Sequence, residues 1–158
     1  MVFTPKAMLR LRGATSDIAD FTSGKFEPVI DDARITDKNS VQRVVLTSGK
    51  IYYDIISEME KRSTENIAVV RLEQLYPLAV DDINAVLDQY PNAELVWTQD
   101  EPENQGAWPF MCFELARHLK GRTITVASRA ASASPATGSN KRSAQEQAEL
   151  ISTALTLH

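Results

Sequence analysis

Cysteine, histidine and glycine are all scarce in this sequence, and each shortage removes a class of chemistry. The single cysteine, Cys112, rules out an internal disulfide framework and fits a reducing cytoplasm. It falls in an apolar helical pattern, so a buried, inert thiol is expected. The only histidines are His118, late in that pattern, and His158, the last residue, so no zinc-type ligand set can be assembled. Neither histidine has a serine or cysteine placed as a nucleophile that it could activate. The six glycines are scattered at 13, 24, 49, 106, 121 and 138, and no dinucleotide or Walker phosphate loop can be written with them. No apolar run reaches the roughly 18 residues of a membrane span, and the first residues lack the pattern of a signal peptide. A formal net charge of −4 and the lack of a basic, aromatic-interleaved stripe argue against nucleic-acid binding.

What the sequence does contain is regular alternation. From Val41 onward, β-rich apolar runs (Val41 to Thr47, Ile67 to Leu72, Glu94 to Thr98, Thr123 to Ser128) take turns with helical patterns. Ile51, Ile55 and Met59 repeat at helical spacing within Lys50 to Lys61. Asp81 or Asp82 opens a helix carrying Ile83, Val86, Leu87 and Tyr90. A third helix is predicted over Trp108 to Leu119. A fourth runs from Ser143 to Leu155, with Ser143 as N-cap, Glu146 completing a capping box, and Ala144, Ala148, Ile151 and Leu155 inward. Four strand–helix units predict a three-layer α/β fold: a small, mostly parallel sheet with helices on both faces. Residues 1–40 are irregular and read as a connecting segment, with 41–158 as the α/β domain. In the segment, Thr4 and Ser16 are candidate helix caps, and Asp31 to Ser40 is polar and expected to be exposed.

Few residues suggest chemistry. Ser48-Gly49-Lys50 fits a tight strand-to-helix turn, or a weak anion site in which Lys50 joins helix N-terminal amides. Asp100, Glu101 and Glu103 fit a solvated turn better than a hard-cation site, and Glu101 with Glu103 leaves acid–base chemistry formally open.

The densest run is Gln99-Asp100-Glu101-Pro102-Glu103-Asn104-Gln105-Gly106-Ala107-Trp108-Pro109, a strand-to-helix connection at the edge where parallel sheets place ligands and partners. Three further blocks accompany it: Thr47-Ser48-Gly49-Lys50-Ile51-Tyr52-Tyr53, Arg71-Leu72-Glu73-Gln74-Leu75-Tyr76-Pro77 and Ser132-Ala133-Ser134-Pro135-Ala136-Thr137-Gly138. In this order and spacing, over essentially the whole chain, they resemble the C-terminal, transketolase-type domain of 2-oxoglutarate dehydrogenase. That enzyme is the thiamine diphosphate-dependent decarboxylating component of its complex.

The resemblance implies the same fold. It also implies a chain that begins at a domain boundary of a longer, cytoplasmic enzyme of the tricarboxylic acid cycle. Thiamine diphosphate and Mg belong to the preceding domains, so no catalytic residue and no metal ligand is expected here. The implied partners are those preceding thiamine-binding domains, a homodimer partner and the lipoyl succinyltransferase of the complex. Trp108, Phe110 and Tyr76 are the aromatics expected to be partly exposed at such contacts. The actinobacterial type further implies an acetyl-CoA effector site. Lys25 and Gln74 match it, whereas Pro28 replaces a hydroxyl, and Asp81 and Asp82 stand where arginines belong. Two anions in place of two cations oppose phosphate binding. Ser143 stands where the family pattern has a histidine. The competing reading is a stand-alone, non-catalytic module that binds protein or a CoA-like ligand.

Overall fold

The computed structural model describes residues 5–157. Thr4, an expected cap, and His158 lie outside them. Five strands form one sheet: β1 (Val29–Ile30), β2 (Arg43–Thr47), β3 (Ile67–Leu72), β4 (Glu94–Pro102) and β5 (Ile124–Arg129), in the order β1-β3-β2-β4-β5. β2 through β5 are parallel, and β1 pairs antiparallel with β3 through Val29↔Leu72 and Ile30↔Arg71. The helices are α1 (Ile18–Thr22), α2 (Ile51–Arg62), α3 (Val80–Leu87), α4 (Trp108–Phe113) and α5 (Asn140–Leu155).

Strand periodicity divides the core in two. Val44, Leu46, Ala68, Val70, Leu95 and Trp97 pack with Ile83, Leu87, Met111 and Leu115 from the α3 and α4 side. Val45, Ile67 and Val69 pack with Ile51, Ile55, Met59, Leu150, Ile151 and Leu155 from α2 and α5. Helices therefore cover both faces, giving three layers as expected. Central strands buried on both sides read as unbroken apolar runs, which is why β2 and β3 were legible.

Five local expectations need correction. The segment Asp31 to Ser40 is not simply exposed, because Asp32 is 5% exposed. Its carboxylate accepts the Val69 N–H (2.8 Å) and the Arg34 Nε–H (2.9 Å), satisfying a buried amide of β3. The short helix α1 is entered from Asp17, not Ser16, with the Asp17 N–H donating to Asp20 Oδ2 at 3.1 Å. The helix expected over Trp108 to Leu119 is α4 followed by a 3-10 turn at Leu115–His118. Cys112 is exposed, since Met111, Leu115 and Leu119 take the inward positions of this stretch and Cys112 points away from them.

The last correction concerns α5, which begins at Asn140 and is capped by Ser139, whose Oγ accepts the Arg142 N–H. Ser143 lies inside the helix, and Glu146 turns to Arg129 (3.5 Å) and Arg142 (2.9 Å) instead of reaching back to a cap. Ala144 and Ala148 are exposed, because only the second half of α5, from Leu150, lies on the sheet.

A second polar contact holds the irregular segment down. Tyr90 Oη donates to Asp31 Oδ1 at 2.6 Å, and Lys38 pairs with the same carboxylate. Burial alone would raise the Asp31 pKa, but the hydrogen bonds from Lys38 and Tyr90 outweigh it and leave the carboxyl below its ordinary value. A depressed carboxyl pKa contributes stability that is present above the unfolded value, about 4, and lost as pH falls through the folded one. Asp31→Asn should therefore cost on the order of 1 kcal/mol at pH 7, and its deficit should close below about pH 4. Urea unfolding of both proteins across this range measures it; a constant deficit would contradict the assignment.

Candidate functional site

In an open parallel sheet, ligands collect outside the carboxyl ends of the strands where the strand order reverses. Here that point lies between β2 and β4. The chain closes it with its own side chains. Thr47 Oγ1 donates to the Thr98 carbonyl (2.8 Å), and Lys50 reaches across to Asp100 (2.6 Å), with Asp54 at 3.7 Å. Lys50 is thus neutralised by carboxylates, and its anion-site reading fails. Gly49, at φ +76°, makes the tight turn the alternative reading required.

The run after β4 is organised by one side chain. Gln99 is 3% exposed, and its amide engages at both ends. Oε1 accepts the Trp97 indole N–H (3.0 Å) and the Trp108 backbone N–H (2.7 Å). Nε2 donates to the carbonyls of Pro102 (3.0 Å) and Gln105 (2.7 Å). Gly106, at φ +64°, passes so close that a Cβ would sit 3.0 Å from the Glu101 side chain and 3.1 Å from Gln99 Nε2. A strand-to-helix connection without regular hydrogen bonding is thereby fixed in one conformation.

The other blocks fasten to this one. Asn104 Oδ1 accepts the Ser132 N–H (2.9 Å), while Asn104 Nδ2 (3.0 Å) and Gln105 Nε2 (2.8 Å) donate to the Ser132 carbonyl. Gln147 of α5 donates to Asp100 (2.6 Å) and accepts from Arg129 (2.9 Å), joining β5 to the Lys50 pair. Arg71 lies over the Tyr52 ring at 4.7 Å, and the Tyr76 ring meets Phe110 edge-on at 6.3 Å between centroids. All four sequence blocks converge on the carboxyl edge. The blocks were visible in the sequence; the bonds between them were not, because each links residues from different elements.

The expected aromatics lie at this edge: Tyr76 is 83% exposed, and Trp108 and Phe110 are half-buried against the core. Sequence reasoning missed Phe113, 72% exposed on α4, and Ile18, Phe21 and Phe26, all exposed before β1. Lys25 is exposed. Gln74 is half-buried and donates to the Pro77 carbonyl at 2.7 Å. The Pro28 carbonyl accepts the N–H groups of Glu73 (2.9 Å) and Gln74 (3.2 Å), which brings the stretch after Lys25 alongside Gln74. Asp81 and Asp82 are exposed in the first turn of α3, where carboxylates suit the helix dipole. Glu101 and Glu103 are exposed, and among the described residues no group of three or more His, Cys, Asp or Glu side chains could hold a metal ion. Thiamine diphosphate and Mg do not fit this chain's residues: the crevice is filled by an ion pair, and the carboxylates beside it are already engaged.

Fold and edge together define a small, mostly parallel α/β domain whose ligand crevice is filled and whose carboxyl edge is a fixed, partly apolar surface. Residues 15–155 match the family model of the 2-oxoglutarate dehydrogenase C-terminal domain, and the chain belongs to that family. It is 44% identical over 158 residues to the multifunctional 2-oxoglutarate metabolism enzyme of Mycobacterium sp. strain JLS, covering 96% of this chain and 12% of the relative. A protein of the same name from Mycolicibacterium vanbaalenii is 43% identical, with 96% and 13% covered. The 2-oxoglutarate dehydrogenase E1 component of Cupriavidus necator is 42% identical over 156 residues, with 98% and 16% covered. The chain thus spans less than a fifth of the length of these relatives.

Proposed function

We propose that the chain serves as the C-terminal assembly and regulatory domain of a cytoplasmic, thiamine diphosphate-dependent 2-oxoglutarate dehydrogenase. In that reading, the preceding domains decarboxylate 2-oxoglutarate and pass a succinyl group to the lipoyl group of the succinyltransferase. This domain supports them and the homodimer. The observation that carries the reading is the closed crevice: Lys50 and Asp100 occupy the position where a ligand would sit, and the surrounding edge is bonded into one rigid surface. Exposed Tyr76, its ring edge-on to Phe110, gives that surface an apolar anchor for a neighbouring domain. A stand-alone binding module has no specific observation in its favour.

The test is a graft. The matching C-terminal segment of the Cupriavidus necator E1 component is replaced by this chain, and 2-oxoglutarate-dependent dye reduction is measured. The graft should be active, the enzyme lacking the segment inactive, and the isolated chain inert and without affinity for thiamine diphosphate. A folded but inactive graft, or activity in the isolated chain, would sink the proposal. Acetyl-CoA should activate the graft weakly or not at all, because Asp81 and Asp82 repel its phosphates. Asp81→Arg with Asp82→Arg should improve activation, most clearly at low salt.

A further inference from the structure

Between residues 5 and 27 no side chain is buried: Met8 and Ala14 are half-buried, and every other residue is exposed. Hydrogen bonds of this stretch stay local, each running to a partner within four positions. Pairing with the rest of the domain begins abruptly at Pro28, whose carbonyl accepts from Glu73 and Gln74, and continues through β1, Asp31 and Asp32. The fold proper therefore starts at residue 28. The stretch before it touches down at Gly13, where an added Cβ would lie 3.8 Å from the Tyr53 ring at the start of α2.

A segment that packs on nothing is ordinarily polar, because exposed apolar side chains cost free energy and gain nothing. This one is not. Of the eight large apolar residues that the described part of the chain exposes, five fall here: Leu9, Leu11, Ile18, Phe21 and Phe26. Ile18 and Phe21 are 81% and 79% exposed and stand three apart on α1, so they share one face of that helix. The five together offer roughly 700 Å² of side-chain surface, close to the ~800 Å² that each partner brings to a stable interface.

Resting on the functional reading above, we propose that residues 9–26 form a docking strap whose apolar side chains pack into the body of a longer enzyme preceding this domain, not onto the domain itself. The family is the C-terminal part of its proteins, and this chain covers only 12, 13 and 16% of the three relatives above. Their remaining chain enters the matched region through the strap, so the body is tethered beside it at an effective concentration in the millimolar range. The spacing of Ile18 and Phe21 calls for an apolar groove that takes a single helical turn, with Phe26 as a separate anchor beyond it. The strap is thus a second contact beside the carboxyl edge, carried by chain that lies outside the α/β fold.

Hydrogen exchange on the full 158-residue chain and on the graft described above tests the strap without reading activity. In the isolated chain, amides of residues 9–26 should exchange within about tenfold of unstructured rates at every protein concentration. In the graft they should slow at least about a hundredfold. Fast exchange in both proteins overturns the proposal. Slow exchange in the isolated chain overturns it too, by showing packing on its own domain or, where the rate depends on concentration, on a second copy. Ile18→Ser with Phe21→Ser gives a measurement independent of the graft's folding: the urea midpoint of the isolated chain should not move, and a lower midpoint overturns the proposal. In the graft the same pair should return residues 9–26 to fast exchange. An inactive graft with a slow strap sinks the functional reading and leaves the strap standing; an active graft with a fast strap does the reverse.

Discussion

Gln99→Leu is expected to destabilise the domain by about 3–5 kcal/mol, a large share of the stability of a chain this size. Leucine fills a similar volume, yet it strips partners from four groups: the Trp97 indole N–H, the Trp108 N–H and the carbonyls of Pro102 and Gln105. Each buried, unpaired group costs about 1–3 kcal/mol, and because all four share one loop the losses fall short of additive. Gln99→Glu keeps the acceptor for both N–H groups but turns the second oxygen toward two carbonyls, so it should be nearly as harmful. Urea unfolding gives the free energy, and near-ultraviolet circular dichroism reports on Trp97 and Trp108 directly. A loss under about 1 kcal/mol for Gln99→Leu would mean that the loop holds its shape without this side chain.

Asp32→Ala should cost about 2–3 kcal/mol, chiefly because the buried Val69 N–H loses its acceptor, while Arg34, with its side chain 37% exposed, can turn to solvent. Arg34 would lose its bidentate partner, and the Val69 N–H its acceptor. The damage should be local first. Amide exchange should rise most in β1 and β3, because Asp32 follows β1 directly and its carboxylate anchors that end of the chain to β3. Asp32→Asn retains one acceptor oxygen and should lose less than alanine does. Equal losses for both variants would indicate that the charge of Asp32 contributes more than its hydrogen bonds.

These two residues also mark where sequence reasoning stops. Continuous apolar runs and the 3.6-residue period of Ile51, Ile55 and Met59 are local signals, and β2, β3 and α2 follow them closely. β1 is two residues long and exists through its pairing with Leu72 and Arg71, so no local pattern announces it. Asp32 looks solvated in the sequence because its acceptor role is defined by Val69, 37 positions away. The sequence pattern points to Ser143 as the start of α5, but Ser139 is the cap. Ser139 prevailed because Glu146, which would have completed a box with Ser143, is claimed by Arg129 and by Thr137 Oγ1 at 2.5 Å. At the carboxyl edge, the four sequence blocks come together. Their chemistry of mutual fastening, amide to carbonyl and lysine to aspartate, became readable only once the strands were in register.

Arg43, 2% exposed at the start of β2, pairs with Glu94 at 2.6 Å and donates to the carbonyls of Thr153 and Ala154, both at 2.9 Å. The first long strand of the sheet is therefore tied to the last turn of the last helix, across 110 and 111 positions of sequence. Contacts this distant are entropically slow to form and come late in assembly. A ribosome making the domain from its amino end exposes Arg43 long before its acceptors exist. Until α5 arrives, the guanidinium and the part of the α2 side that Leu150, Ile151 and Leu155 cover both face solvent. Synthesis of this domain thus ends with its most vulnerable interval, and α5 acts as the latch that closes it.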